Sequence, residues 1–256
     1  MDETNHPVPR ARTRGELDDK VAVITGGGTG IGLATARRFV AEGARVFLFG
    51  RRAEPLAAAE AELGPAAVGV PGDVTRGEDL DRLRTEVQAH GRGLDVVFAN
   101  AGRGSFTPLG GVAREVFDET MAINLRGVYF TVQTLLPLLN PNASVVLMSS
   151  AGGTSGLPGL GAYSAAKAGI RSFARTLAAE LGDRGIRVNA ISPGYIRTSP
   201  GDADVEAFQE AGAAGIPRRR VGEPDEVAAA TLFLASSGSS YITGSELFVD
   251  GGRNQV

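Results

Sequence analysis

Short apolar, largely β-branched runs recur along the chain, separated by stretches of helical periodicity, and this alternation constrains the fold more than any other feature. The runs lie at residues 21–24, 45–49, 67–70, 95–99, 144–148, 187–191 and 246–249. Each is short enough, and closely enough bounded by turn residues, to read as a buried strand. Helical spacing starts at Ile31 and returns over 53–63, 77–90, 113–139, 161–181 and 224–235. Strands joined through helices cannot pair as tight hairpins. They line up in parallel, with right-handed crossovers placing helices on both faces of one sheet. The expectation is therefore α/β: one doubly wound domain with seven parallel strands, its ligand beyond their carboxyl ends. Residues 1–16 are polar and proline-containing and read as a flexible tail, leaving 17–256 as the domain.

The first strand runs into Thr25-Gly26-Gly27-Gly28-Thr29-Gly30-Ile31-Gly32, where a helix begins. Bare glycine backbone lets a pyrophosphate approach closely, and a helix start offers unpaired N–H groups. A glycine turn alone is also an ordinary flexible loop. Between a strand and a helix in the first parallel unit it favours a dinucleotide, which makes the domain Rossmann-type.

Tyr163 and Lys167 stand four residues apart, thirteen residues after Ser150. On a helix, that spacing puts ammonium and phenol on one face a turn apart. A neighbouring positive charge favours phenolate, so the expectation is a lowered tyrosine pKa and proton exchange with an alcohol or ketone oxygen. The pair by itself would suit any amphipathic helix. It is accompanied, in order along the chain, by Thr25 to Gly32, Asp73-Val74, Asn100-Ala101-Gly102, Asn124, Ser150, Tyr163 to Lys167, and Pro193-Gly194 with Thr198. In these motifs the chain resembles the short-chain dehydrogenase/reductase family over about residues 17–252, in the branch that includes 3-oxoacyl reductases and ketone/alcohol oxidoreductases.

The resemblance implies roles. Tyr163 would be general acid in reduction and general base in oxidation, Lys167 would lower its pKa and bind the nicotinamide ribose, and Ser150 would hold the substrate oxygen. Ser149 is the rival serine, and the spacing to Tyr163 selects Ser150. Asn124 would support a water chain from the lysine, although an isolated asparagine joining helix to sheet reads equally well. The cofactor would meet Gly26, Thr29, Gly30, Ile31, Gly32, Asp73, Val74, Asn100, Ala101, Gly102, Tyr163, Lys167, Pro193, Gly194, Ile196 and Thr198. Asp73 would contact adenine; without the resemblance it reads as a helix N-cap or turn residue. Ala99 precedes the Asn100 turn where relatives more commonly carry asparagine. Tyr195 either faces substrate or packs.

After the second strand the chain reads Gly50-Arg51-Arg52. A carboxylate there would bind the ribose hydroxyls of NAD, whereas arginine matches the 2′-phosphate of NADP. NADP(H) is preferred on this ground, with NAD(H) the alternative and a solvated arginine pair the plain reading. Thr29 points the other way, since NADP-using relatives often place a basic residue there.

The balance of 26 basic and 29 acidic residues gives no electrostatic case for nucleic acid or an anionic membrane. No apolar run approaches the ~18 residues of a membrane span. The chain has no cysteine, which excludes thiolate chemistry and fits a reducing cytoplasm. His6 and His90 lie away from every motif, and no metal site is expected. The Arg218–Arg220 run reads as a solvated loop. Residues 199–222 would form a substrate lid, with Ser105 to Leu109 and residues 152–160 as the other walls. Phe106, Leu157, Pro158 and Leu160 suggest a small, uncharged or partly apolar carbonyl or alcohol substrate. The two helices before and at Gly161, and the segment 247–252, resemble the interfaces of a homotetramer. The competing function is a non-catalytic nucleotide sensor on the same fold.

Overall fold

The computed structural model describes residues 15–104, 106–198 and 203–256; most of the expected tail, Ser105 and the first four lid residues lie outside them. Seven strands form one parallel sheet: β1 (Val21–Thr25), β2 (Arg45–Gly50), β3 (Ala67–Pro71), β4 (Leu94–Ala99), β5 (Leu139–Met148), β6 (Arg187–Pro193) and β7 (Glu246–Val249). Their order is β3-β2-β1-β4-β5-β6-β7. The direction of winding reverses between β1 and β4, opening a crevice at their carboxyl ends.

Alternation within each strand divides the core in two. Val21 and Val23 point to one face with Phe47, Val97 and Val145, whereas Ala22 and Ile24 point to the other with Leu48, Phe98 and Val146. The first face is covered by α3 (Gly77–Ala89), α5 (Gly127–Leu135) and α6 (Gly161–Leu181), with α4 (Arg114–Met121) packed outside against α6. The second is covered by α1 (Gly30–Ala41), α2 (Ala53–Leu63) and α8 (Pro224–Ala235). A further helix, α7 (Ala203–Ala213), lies inside the expected lid. Helix α8 starts with Pro224 and a reciprocal capping box between Glu223 and Glu226, which satisfies orphan first-turn groups.

Two boundaries differ from the sequence reading. The helix expected over 113–139 is two helices joined by a π turn at Ala122–Arg126, and Pro137 sits in the 3-10 turn that closes it. Strand β5 then begins at Leu139, running through Asn140-Pro141-Asn142, with an irregular register against β4 between Leu94 and Val96. At the other end of the domain, Leu17 is buried and Glu16 N donates to Glu42 Oε2 at 3.1 Å.

Candidate active site

The glycine turn is shaped by steric need. Gly26 (φ 67°) and Gly30 (φ 52°) occupy left-handed conformations, and a Cβ at Gly32 would fall on the Gly26 carbonyl. Thr29 is the extended N-cap of α1, and the first-turn N–H groups beyond it have no intrahelical partners. Ile31 contributes only backbone there, because its side chain packs into the second core layer. The turn is tied to the end of β4: Thr25 Oγ1 accepts from Asn100 N (3.0 Å) and Ala101 N (2.9 Å), and Asn100 Nδ2 donates to Thr25 O (2.9 Å). Thr25 is thus a bracing residue that motif reading left without a task.

A groove runs from this turn past Gly50, Arg51 and Arg52 to Asp73, Val74 and Gly102. Arg52 Nη2 reaches Thr29 Oγ1 at 3.5 Å, so the basic group missing at position 29 arrives from the start of α2. Asp73 is not a helix cap, since Arg76 caps α3. Its Oδ1 accepts from Thr75 N (2.9 Å) and Thr75 Oγ1 (2.8 Å), which fixes the carboxylate in a local turn at the groove wall. Across the turn, the Thr198 side chain sits beside Gly30, where an added Cβ would lie 3.5 Å from it. Pro193 ends β6, Gly194 N donates to Val249 O, and buried Ile196 bridges to Gly222. These contacts bend the chain back towards the groove.

The second cluster meets where β5 ends. Ser149 Oγ donates to the Lys167 carbonyl at 2.9 Å and is consumed structurally. Ser150 Oγ accepts from Gly152 N (3.1 Å), and its hydroxyl favours the charged form of the Tyr163 phenol. Lys167, almost fully buried, donates from Nζ to Met148 O at 2.9 Å, and Nζ lies 5.6 Å from the Tyr163 ring centre. Burial pulls its pKa down to about 7. Tyr163 is half-buried as a residue, its phenol end being the more enclosed part. Burial raises its pKa, and the Ser150 hydroxyl partly offsets that. This corrects the expected lowering: enclosing both groups disfavours their charged forms, and the offset at the tyrosine comes from Ser150.

Asn124 sits inside the π turn. Its Oδ1 accepts from Arg103 N (3.1 Å), and its Nδ2 donates to Arg103 O and Thr120 O (both 3.0 Å). One extra residue per turn is a common device at functional sites, and here it turns the amide towards the chain after β4. Gly102 lies between the two groups: a Cβ there would stand 2.9 Å from Asn124 Oδ1 and 3.3 Å from Lys167 Nζ. Asn124, Ser150, Tyr163 and Lys167, from three separate elements, therefore gather beside the groove. Tyr195 packs: its ring is wedged on Gly212 of α7 and joins a small cluster with Ala213, Ile216 and Val221. Sequence reading also missed Arg103, which lines the groove and pins Asn124 through its backbone. Among the described residues, no group of His, Cys, Asp or Glu is arranged to hold a metal ion, and no helix is long and apolar enough to cross a membrane.

A family model described as enoyl-(acyl carrier protein) reductase matches residues 26–254. The oxidoreductase asL5 of Sarocladium schorii is 49% identical over 246 residues, 94% of this chain and 98% of that one. The chain belongs to the short-chain dehydrogenase/reductase family. A second family member, the 3-oxoacyl-[acyl-carrier-protein] reductase FabG of Thermotoga maritima, is 38% identical over 92% of this chain and 98% of its own. A solved structure titled short-chain dehydrogenase/reductase SDR: glucose/ribitol dehydrogenase, from Brucella melitensis, superposes with a TM-score of 0.89. It is 29% identical and covers 94% of this chain and 99% of its own. As a short-chain dehydrogenase/reductase the protein is an NAD(P)-dependent oxidoreductase that acts on a small molecule. The residues present fit such a cofactor: the glycine turn before α1, the Arg51–Arg52 pair, Asp73 and Gly102 line one continuous groove.

Proposed function

We propose that the protein moves a hydride between NADP(H) and a ketone or secondary alcohol, with Tyr163 exchanging the proton. The observation that carries this is the Tyr163 ring 5.6 Å from the buried Lys167 Nζ, which stands beside Gly102 of the groove wall. The nicotinamide supplies or accepts the hydride. Ser150 holds the substrate oxygen, and in reduction Tyr163 gives that oxygen a proton. In oxidation, Tyr163 as phenolate takes the proton back, and the Ser150 hydroxyl favours that phenolate. Lys167 holds the nicotinamide ribose and, with a pKa of about 7, gains and loses protons near neutrality. Asn124, locked by three hydrogen bonds, keeps the space beside Lys167 open for a water chain to solvent.

The adenosine end of the groove would bind adenine against Asp73 and Val74, and a 2′-phosphate against Arg51. Among the described residues none bonds the exposed Arg51 guanidinium, and Arg52 adds charge over Thr29. Arginine forks match phosphate bidentately, and no carboxylate opposes it at Gly50. The substrate side favours an apolar carbonyl compound. Phe106 packs over Gly159 and faces Phe208 of α7 at a centroid distance of 6.3 Å. A 3-oxoacyl thioester is the nearest specific candidate, supported by the likeness to the Thermotoga reductase. Exposed Phe117 and Phe130 on the α4–α5 pair, with Tyr241 before β7, support homotetramer assembly, and the absence of cysteine suits a cytoplasmic setting.

The test is titration with NADPH and NADH by nicotinamide fluorescence, followed by turnover of ethyl acetoacetate, acetophenone and cyclohexanone by wild type and Tyr163→Phe. The expected results are tighter NADPH binding and a loss of about 10²–10⁴-fold in kcat for the variant, with cofactor affinity retained. Full turnover by Tyr163→Phe would refute the proton-transfer assignment.

A further inference from the structure

The segment after β7 folds back across the mouth of the site. Buried Asp250 accepts from Gly252 N (2.9 Å) and Asn254 N (3.0 Å) through its two oxygens, with Gly251 and Gly252 both left-handed (φ 67° and 91°). This tight reversal delivers two adjacent side chains to two different walls. Asn254 Nδ2 donates to Ala151 O (3.0 Å) and Thr154 Oγ1 (2.6 Å), which belong to the turn directly behind Ser150. The Arg253 guanidinium lies 4.8 Å over the Tyr195 ring and donates from Nη2 to Ser155 Oγ at 3.2 Å. Tyr195 in turn seats α7: it is wedged against Gly212 and edge-on to Phe208 at 5.8 Å. Neither Arg253 nor Asn254 belongs to a hydrophobic cluster. Their bonds go to the Ser150 turn and the lid.

We propose that Asn254 and Arg253 are positioning residues: Asn254 fixes the Ser150 hydroxyl through the Ala151–Thr154 turn, and Arg253 ties that turn to helix α7 through Tyr195. The lid and the group that holds the substrate oxygen thereby share one anchor. The inference rests on the reading of Ser150 as that group. Supporting groups of this kind act through precision, since a displacement of about 1 Å can cost roughly 10²-fold in rate. A planar guanidinium stacked on a ring and bonded at its edge is also a contact that lysine does not reproduce.

The test compares Asn254→Asp, Arg253→Lys and the control Gln255→Ala, using NADP-dependent oxidation of 1-phenylethanol and reduction of acetophenone. Asn254→Asp loses both donors and turns a carboxylate towards the Ala151 carbonyl. It should lower kcat about tenfold with NADPH affinity unchanged within about twofold. The alkaline rise of the oxidation rate should move to higher pH, because a loosened Ser150 stabilises the Tyr163 phenolate less. Arg253→Lys should raise KM for the ketone more than it lowers kcat, and Gln255→Ala should match wild type. A fall in melting temperature with kcat, KM and pH profile unmoved would overturn the proposal. If wild type turns over neither probe, the proposed function fails for those substrates, and hydrogen exchange decides the inference separately. Faster exchange in both 150–155 and 203–213 of Arg253→Ala sustains it, and a change confined to 250–256 overturns it.

Discussion

Replacing Lys167 with methionine should make the unliganded protein more stable while abolishing turnover, and the gain should depend on pH in a defined direction. Lys167 is buried with a pKa of about 7 against an ordinary 10.5, and among the described residues Nζ donates to Met148 O alone. That interval corresponds to roughly 5 kcal/mol at about 1.4 kcal/mol per pH unit. Because the folded value lies below the unfolded one, the unfolded chain holds a proton between pH 7 and 10.5 that the folded chain lacks. Raising the pH through this window therefore favours the folded state, and the lysine's penalty is greatest below pH 7. Methionine has a similar length and no charge to bury, but it leaves the Met148 carbonyl unpaired, at a cost of about 1–3 kcal/mol. The net gain should be about 2–4 kcal/mol at pH 6. At pH 9 roughly 2 kcal/mol of the penalty remains, which the orphaned carbonyl cancels. Urea unfolding of both proteins at pH 6, 7.5 and 9 measures this, with the stability difference shrinking by about 3 kcal/mol across the series. A difference that stays constant with pH, or grows as pH rises, would refute the account of a strained, half-neutral lysine.

Other consequences follow from the same geometry. Gly102→Ala would press a methyl group 2.9 Å from Asn124 Oδ1 and 3.3 Å from Lys167 Nζ, so kcat should fall about tenfold or more while the fold loses about 1–3 kcal/mol, read by steady-state kinetics and thermal melts. The two adjacent serines should separate cleanly: Ser149→Ala, which loses the bond to the Lys167 carbonyl, should cost about 1 kcal/mol of stability with turnover largely kept. Ser150→Ala should instead lower kcat by about 10²-fold with normal melting. Arg51→Asp should weaken NADPH by at least tenfold, about 1.4 kcal/mol, and leave NADH no weaker, as judged by fluorescence titration.

The parallel sheet was legible because its central strands are buried on both faces and so read as continuous apolar runs, and the stripe Ile170, Ala174, Leu177 and Leu181 on α6 was legible from its period. The π turn was not. It changes the hydrogen-bond step without changing composition, so the stretch from Arg114 to Leu135 carries an unbroken helical pattern. Asn140-Pro141-Asn142 reads as a turn, yet it lies within β5, where Asn140 Nδ2 bonds Arg92 O and Asp95 Oδ1 across to β4. Motif spacing brought Tyr163 beside Lys167 and Ser150 but carried the wrong sign for the tyrosine pKa. Spacing reports which charges are near, whereas desolvation depends on everything packed around them. Tyr195 and Arg253 show the same limit, since their stack joins residues 58 positions apart that no local pattern connects.

The π turn has a consequence for how this helix can change length. Such a turn amounts to one residue inserted into an otherwise regular α-helix, with the flanking turns left in phase. Removing a single residue from Ala122–Arg126 would let α4 and α5 fuse into one ordinary helix with its outer contacts intact. The helix should thus accept a deletion that the chemistry does not. The product should keep the helix but lose the Asn124 bonds to Arg103, and the groove wall at Ile123 would shift with them. A one-residue deletion here therefore separates helix continuity, read by melting, from the placement of the Asn124 amide, read by turnover.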